Sequence, residues 1–370
     1  MKALGIIFAS IYDSSLGDLT NKRTIASLPF GGRYRQIDFT LSNMCNSGIN
    51  HVGIITKHNY QSLMSHIGSG QSWDMELGEQ LEFLTPYAMG VNASYRGKLD
   101  ALNAARIFLE LAKEEYVVLA DSGVLCAIDL SKVLASHIAS GAAVTIVTKA
   151  GIANGCKQLD LAVHADENNL VTDMAVDYCA DSSYLASMGI YVMRRELLIQ
   201  ACEEAVARSR YHFERDLLLR SFTRGELIAN VFQFQNVALF NESTEEYYRN
   251  SLAVLDAEVR HGLFRSDMTI YTRPRNEVPA YIGPEAKFYD SIAGDGSVIA
   301  GNVDHSVLFR GVHVAQGAVI EDSVLLQDVD VGKDAQLRCV ILDKDVRVRP
   351  GARLIGTPEH PVIVKRGEVV

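Results

Sequence analysis

The sequence predicts an α/β protein of two domains, a mostly parallel sheet flanked by helices and then a solenoid of short strands. Three observations predict it. The chain has 370 residues, which is long for one ordinary core and suits two domains. Apolar runs alternate with amphipathic stretches through the first two thirds. The last hundred residues instead carry a short apolar repeat of constant length.

In the first region the candidate strands are 3–8, 52–56, 116–119 and 143–148. The candidate helices are 35–46, 100–111, 130–140 and 195–207. Strand–helix alternation with short connections implies a mostly parallel sheet covered by helices. Ligands on such sheets sit outside the carboxyl ends of the strands, so the loops after Phe8 and Leu119 are where chemistry is expected.

In the last region Val312, Val329 and Val346 are 17 residues apart, as are Val314, Val331 and Val348. Ile320, Leu337 and Leu354 repeat the interval, and so do Val307, Val324 and Ile341. Gly and Pro in the gaps (AQGA, GKDA, RPGA) rule out a helix. Three short strands per coil fit the interval, the alternative being an antiparallel sandwich of evenly spaced hairpins. The exposed ends of such a stack favour capping or contacts between subunits. The expected division is 1–243 for the sheet domain, 244–279 for a linker helix (around 244–263) and connection, and 280–370 for the solenoid.

Composition narrows the function. An apolar fraction of 48% and a charged fraction of 22% describe a globular chain. A formal net charge of −10 argues against nucleic-acid binding. The opening MKALGIIFAS reads as a first strand rather than a signal peptide. No apolar segment approaches the roughly 20 residues of a membrane helix. The six cysteines are scattered without a CxxC pair, which fits a reducing cytoplasm and argues against zinc.

Several strings, in order, carry a resemblance. Residues 16–49 read LGDLTNKRTIASLPFGGRYRQIDFTLSNMCNSGI; then come TKHNYQSLMSHI (56–67), SYRGKLDAL (94–102), ASMGIYVM (186–193) and HFERDLL (212–218). The ordered set resembles glucose-1-phosphate adenylyltransferases over nearly the whole chain. That resemblance implies a nucleotidyltransferase domain (Rossmann-like, GT-A-type, a mixed mostly parallel sheet) and a C-terminal left-handed parallel β-helix. The family joins ATP and glucose 1-phosphate into ADP-glucose and pyrophosphate on the way to bacterial glycogen. Such chemistry needs backbone donors and cations around the triphosphate, with Mg²⁺ held by carboxylates.

Matched position by position, the catalytic groups are replaced. The family's GGxGxR loop falls on Ser10, Ile11, Tyr12, Asp13, Ser14 and Ser15, so its glycines and Arg are gone and Asp13 adds a like charge. A shifted loop that binds nucleotide through Ser hydroxyls is the alternative. Ile25 stands at a conserved-type lysine of the family pattern. Ser122 falls at the first metal ligand, with Asp121 as a fallback one residue earlier, and Phe240 falls at the second, where a phenyl ring cannot ligate Mg²⁺. In the sugar-phosphate pocket Asp177 and Tyr178 replace the Glu-Lys pair. Ser187, Tyr191, His212 and Phe213 remain as pocket remnants or as packing residues.

The effector-site pattern of the family survives better. Lys22, Arg23, Arg35 and Lys344 match its cations, while Pro29 replaces its histidine. Four such cations would suit a bis-phosphorylated sugar, unless they pair with carboxylates such as Asp18 and Asp38. Retained regulatory features with lost catalytic ones resemble the non-catalytic D-type regulatory subunit of the family in Gram-positive bacteria. The expectation is therefore a cytoplasmic regulatory subunit with no metal or cofactor of its own. It would work in a heterotetramer with a catalytic subunit that uses Mg²⁺. A weak adenylyltransferase using Asp121 and a stand-alone sugar-nucleotide or sugar-phosphate sensor are the alternatives.

Overall fold

The computed structural model describes residues 2–10, 13–75, 78, 80–85 and 95–370. Ile11 and Tyr12 of the first-loop window, and Ser94 at the head of the SYRGKLDAL string, lie outside these residues.

The strand Ala3–Phe8, apolar throughout and buried throughout, is the centre of the first sheet. Val52–Ile55 and Tyr116–Asp121 flank it in parallel, and Leu81–Leu84 extends that side. The long strand Leu185–Arg194 then runs antiparallel to Tyr116–Asp121, with Leu159–Ala165 further along the same edge and Val144–Lys149 on the other. The sheet is therefore mixed, with parallel pairing around the centre. Apolar clusters fill both of its faces.

The helices Leu130–Ser140 and Arg195–Ala207 form as their patterns predict. Asp129 caps the former by accepting from Ser131 N. The expected helix at 100–111 is instead two, Lys98–Ala104 and Arg106–Leu111, broken at Ala105. The expected linker helix also divides, into Thr244–Ala253 and Ala257–Leu263. Asp256 makes that break: its Oδ1 accepts from Glu258 N and Val259 N, a cap that starts a new helix.

From Tyr281 the chain winds into three parallel sheets of five strands each. The registers are those of the sequence columns. Val314 pairs with Val331 and Val331 with Val348; Ile320, Leu337 and Leu354 align; Val307, Val324 and Ile341 align. This is a left-handed β-helix, not a sandwich, its interior filled by the Val314 and Ile320 columns.

A further apolar cluster joins the two domains. Leu16, Leu19, Ile25 and Phe30 from the first domain meet Val307, Phe309, Val324 and Ile341 of the β-helix across Tyr247 and Tyr248. Each tyrosine hydroxyl donates to one domain, Tyr247 to Pro29 O at 2.7 Å and Tyr248 to Asp322 O at 2.5 Å. The helix Thr244–Ala253 is thus a wedge bonded to both.

Candidate functional site

Two polar sites flank this wedge. The first lies at the carboxyl end of the strand Tyr116–Asp121. Asp121 turns its carboxylate into a small pocket beside Phe240, Tyr191, Glu214 and Glu242. Ser122, expected at the ligand position, does not face it: its Oγ donates to Phe8 O at 3.1 Å, because the chain turns at the strand end. The fallback Asp121, and not Ser122, is thus the residue that faces the pocket.

The carboxylates of this pocket already hold cations from the chain itself. Lys98 Nζ sits 2.8 Å from Asp121 Oδ2 and 2.5 Å from Glu214 Oε1. Lys157 Nζ lies 2.8 Å from Glu242 Oε2, 2.6 Å from Glu246 Oε1 and 5.3 Å from the centre of the Phe240 ring. Burial opposes the charge on Lys98, yet Asp121 and Glu214 outweigh it and hold the ammonium protonated well above the ordinary lysine range. Burial pushes the Asp121 carboxyl up to about 7, against the pull of Lys98. Tyr191 receives from Ser187 Oγ and donates to Glu214 Oε1, each at 3.2 Å. Phe213 is fully buried against the Tyr191 ring and acts in packing.

Mg²⁺, which the resemblance implies for the chemistry, does not fit this donor set. The ion wants hard oxygen ligands at octahedral geometry. Here Asp121, Glu214 and Glu242 are each bound by a lysine, a phenyl ring stands at Phe240, and the pocket encloses only about 10 Å³. No group of three or more His, Cys, Asp or Glu among the described residues could hold a metal ion.

The first loop is likewise closed on itself. Asp13 Oδ1 accepts from Ile25 N at 2.7 Å, so two replaced positions are bonded to each other. Burial pushes Asp13 up to about 6. Ser10 is buried, Ser15 is exposed and Ile25 belongs to the apolar cluster between the domains. Next to the small pocket lies a wider cavity of about 290 Å³, lined by Lys57, Arg96, Asp177, His212 and Arg215 among others. Tyr178 is not part of this lining; its ring is exposed and meets Tyr184 edge-on.

The second site is a cleft between the domains. Gly32, Arg33, Arg35 and His66 come from the first, Arg273, Arg275 and Glu277 from the connection, and Asp295, Arg310 and Gln327 from the β-helix; Arg310 Nη1 pairs with Glu277 Oε1 at 3.3 Å. Arg35 is fixed by donating through Nη1 to Ser62 O and Ser62 Oγ, at 2.6 and 3.0 Å. Asp38 caps the helix Gln36–Asn46 through Arg35 N and holds His66 Nε2 at 2.5 Å. Burial and then the neighbouring Arg35 and Arg23 pull the Lys344 ammonium down to about 7. Arg35 itself falls to about 10, chiefly through burial.

Of the four cations expected to meet, three therefore share one field: Arg23, Arg35 and Lys344. Lys22 is exposed at the surface. Arg23 is buried and paired with Asp343, a partner other than Asp18 or Asp38; Asp18 pairs with Lys365. Arg23 Nη1 and Gln327 Oε1 are nonetheless buried without a hydrogen-bond partner, a condition few native polar groups tolerate. Arg33, Arg273, Arg275 and Arg310 were missed. The string YTRPR around Arg273 and Arg275 was the visible signal.

A mixed nucleotidyltransferase sheet joined through a helical wedge to a left-handed β-helix defines the class. The nucleotidyl transferase family profile matches residues 4–236, and the profile described as GlmU-like, C-terminal hexapeptide matches residues 277–360. The chain is 34% identical to the glycogen biosynthesis protein GlgD of Geobacillus stearothermophilus, covering 100% of this chain and 97% of that protein. It is 31% identical to the glycogen biosynthesis protein GlgD of Bacillus subtilis (strain 168), covering 99% and 96%. The glucose-1-phosphate adenylyltransferase of Geobacillus stearothermophilus is 31% identical over 86% of this chain and 83% of its own length. The chain belongs to the glucose-1-phosphate adenylyltransferase family.

Proposed function

We propose that this chain is a regulatory, largely non-catalytic subunit of glucose-1-phosphate adenylyltransferase in bacterial glycogen biosynthesis. One observation carries the reading: the carboxylates of the catalytic-type pocket are each bound by Lys98 or Lys157 rather than left open for a metal. The likeness along the full chain to proteins named for glycogen biosynthesis supports the pathway. In this reading Mg²⁺ and turnover belong to a catalytic partner subunit, in a heterotetramer. This chain biases that partner's active state through shared interfaces.

The arginine cleft is the effector site of the same proposal. Guanidinium groups bind phosphate through paired, charge-assisted bonds, and a phosphorylated sugar such as fructose 1,6-bisphosphate has the right chemistry. Arg35 and Lys344 serve it, and Arg23 acts from behind through Asp343. The wider basic cavity with Lys57, Arg96 and Arg215 favours a second reading, a sensor that binds a sugar phosphate or nucleotide without converting it.

The test is an assay of the purified chain with ATP, glucose 1-phosphate and Mg²⁺, alone and mixed with a catalytic subunit. The proposal expects almost no ADP-glucose from the chain alone and a raised rate or effector response in the mixture. Turnover near one per second alone would overturn it. Unchanged kinetics with no co-elution would favour the sensor.

A further inference from the structure

Two exposed cysteines sit together on the rim of the first pocket. The strand Val171–Tyr178 runs antiparallel to Leu159–Ala165, with Tyr178 opposite Leu159. Beyond that pair the two chains stay in contact: Gln158 Nε2 donates to Asp177 O at 3.2 Å and Gly155 N donates to Ala180 O at 2.8 Å. Where the strands end, Cys156 and Cys179 lie side by side, with Cys179 Sγ 3.7 Å from Cys156 O. A disulfide spans Cα atoms roughly 4.4–6.8 Å apart, so a thiol this close to its neighbour's backbone is within reach of a bridge.

We propose that Cys156 and Cys179 form a reversible redox clasp, closing to an intrachain disulfide by exchange with a low-molecular-weight disulfide. One thiolate attacks the small disulfide, releasing one small thiol and leaving a mixed disulfide on the protein. The second protein thiolate then attacks the protein sulfur of that mixed disulfide and displaces a second small thiol. The protein loses two protons and two electrons, and the small disulfide is reduced to two thiols.

The other four cysteines do not compete. Cys126, Cys202 and Cys339 are buried and Cys45 is partly so, whereas Cys156 and Cys179 are both exposed. Burial pushes the Cys126 and Cys202 thiols up to about 12, which leaves them almost no thiolate. The clasp has a consequence for the pocket. Residue 157 follows the first cysteine directly, and the Lys157 ammonium holds Glu242 and Glu246 at the start of the interdomain helix. Closing the bond ties the segment carrying that cation to the edge of the sheet.

The experiment uses the full chain under native conditions with oxidised glutathione, read by intact mass and by peptide mapping without reduction. The expected product has lost two hydrogens, carries no glutathione and yields one linked peptide containing Cys156 and Cys179. Reduced glutathione in excess should reverse it. Cys156→Ser should leave Cys179 as a stable glutathione adduct, and Cys179→Ser the reverse. Wild-type chain carrying glutathione on both cysteines, or linked chain to chain, would overturn the clasp, as would no reaction at either.

Discussion

Two lysines on either side of the interdomain wedge, Lys98 buried and Lys344 half-buried, experience opposite fields. Lys98 lies between Asp121 and Glu214 and keeps its proton far above the ordinary range. Lys344 lies among Arg23, Arg35 and Arg310 and is drawn down to about 7. Burial penalises both charges; the neighbours decide the outcome. The pocket around Lys98 has its counter-charges built in, although Asp121 Oδ1 is left buried without a hydrogen-bond partner. The cleft near Lys344 holds five arginines against the two carboxylates Glu277 and Asp295, an excess of positive charge.

The largest expected effect breaks the first half of this contrast. Lys98→Met leaves Asp121 and Glu214 facing each other without a cation, and should cost about 3–5 kcal/mol of stability in urea unfolding. A loss below about 1 kcal/mol would mean the triad does not neutralise the pocket. Lys344→Met, by comparison, should change stability at pH 8 by no more than about 1 kcal/mol.

Next is the cleft itself. Arg35→Ala should weaken binding of fructose 1,6-bisphosphate to the purified chain by on the order of tenfold or more, measured by calorimetry. Equal affinity in wild type and variant would remove the effector assignment.

The pH dependence sharpens the comparison. Between about 7 and 10.5 the unfolded chain keeps the Lys344 proton that the folded chain has released. This lysine therefore adds stability as pH rises through that window and withdraws it as pH falls through about 7. Asp121 has the opposite sign. Its raised carboxyl stabilises the fold below its ordinary value of 3.8, and that contribution is lost as pH rises through about 7. Sugar-bisphosphate binding should strengthen as pH drops through about 7, where Lys344 regains its charge. Lys344→Met should flatten most of that change, His66 supplying the remainder at lower pH.

The smallest effect belongs to Lys22, exposed and outside the cleft lining. Lys22→Ala should alter bisphosphate affinity by less than about twofold.

Much of the fold was legible because its signals are local and repetitive. Columns such as Ile320, Leu337 and Leu354 give the β-helix register directly, since each coil must bury its column on the next. The cleft was legible only in part. Arg35 and Lys344 lay in recognisable strings, but Arg275 and Arg310 reach the same space from far along the chain. Nor could sequence pair Arg23 with Asp343, 320 residues away. The register of the resemblance points to Ser122, but the turn after the strand ties its hydroxyl to Phe8 O and leaves Asp121 facing the pocket. Lys98 and Glu214 stood inside quoted strings, yet their joining with Asp121 depends on tertiary packing.

Ile25 stands where the family pattern has a lysine, and it is also part of the apolar seam that joins the domains. Ile25→Lys would place an ammonium against Leu16, Leu28 and Phe30 and weaken the domain junction before it could serve any substrate. A cation at this position is thus excluded by the seam around it, and restoring one would require repacking the contact between the two halves.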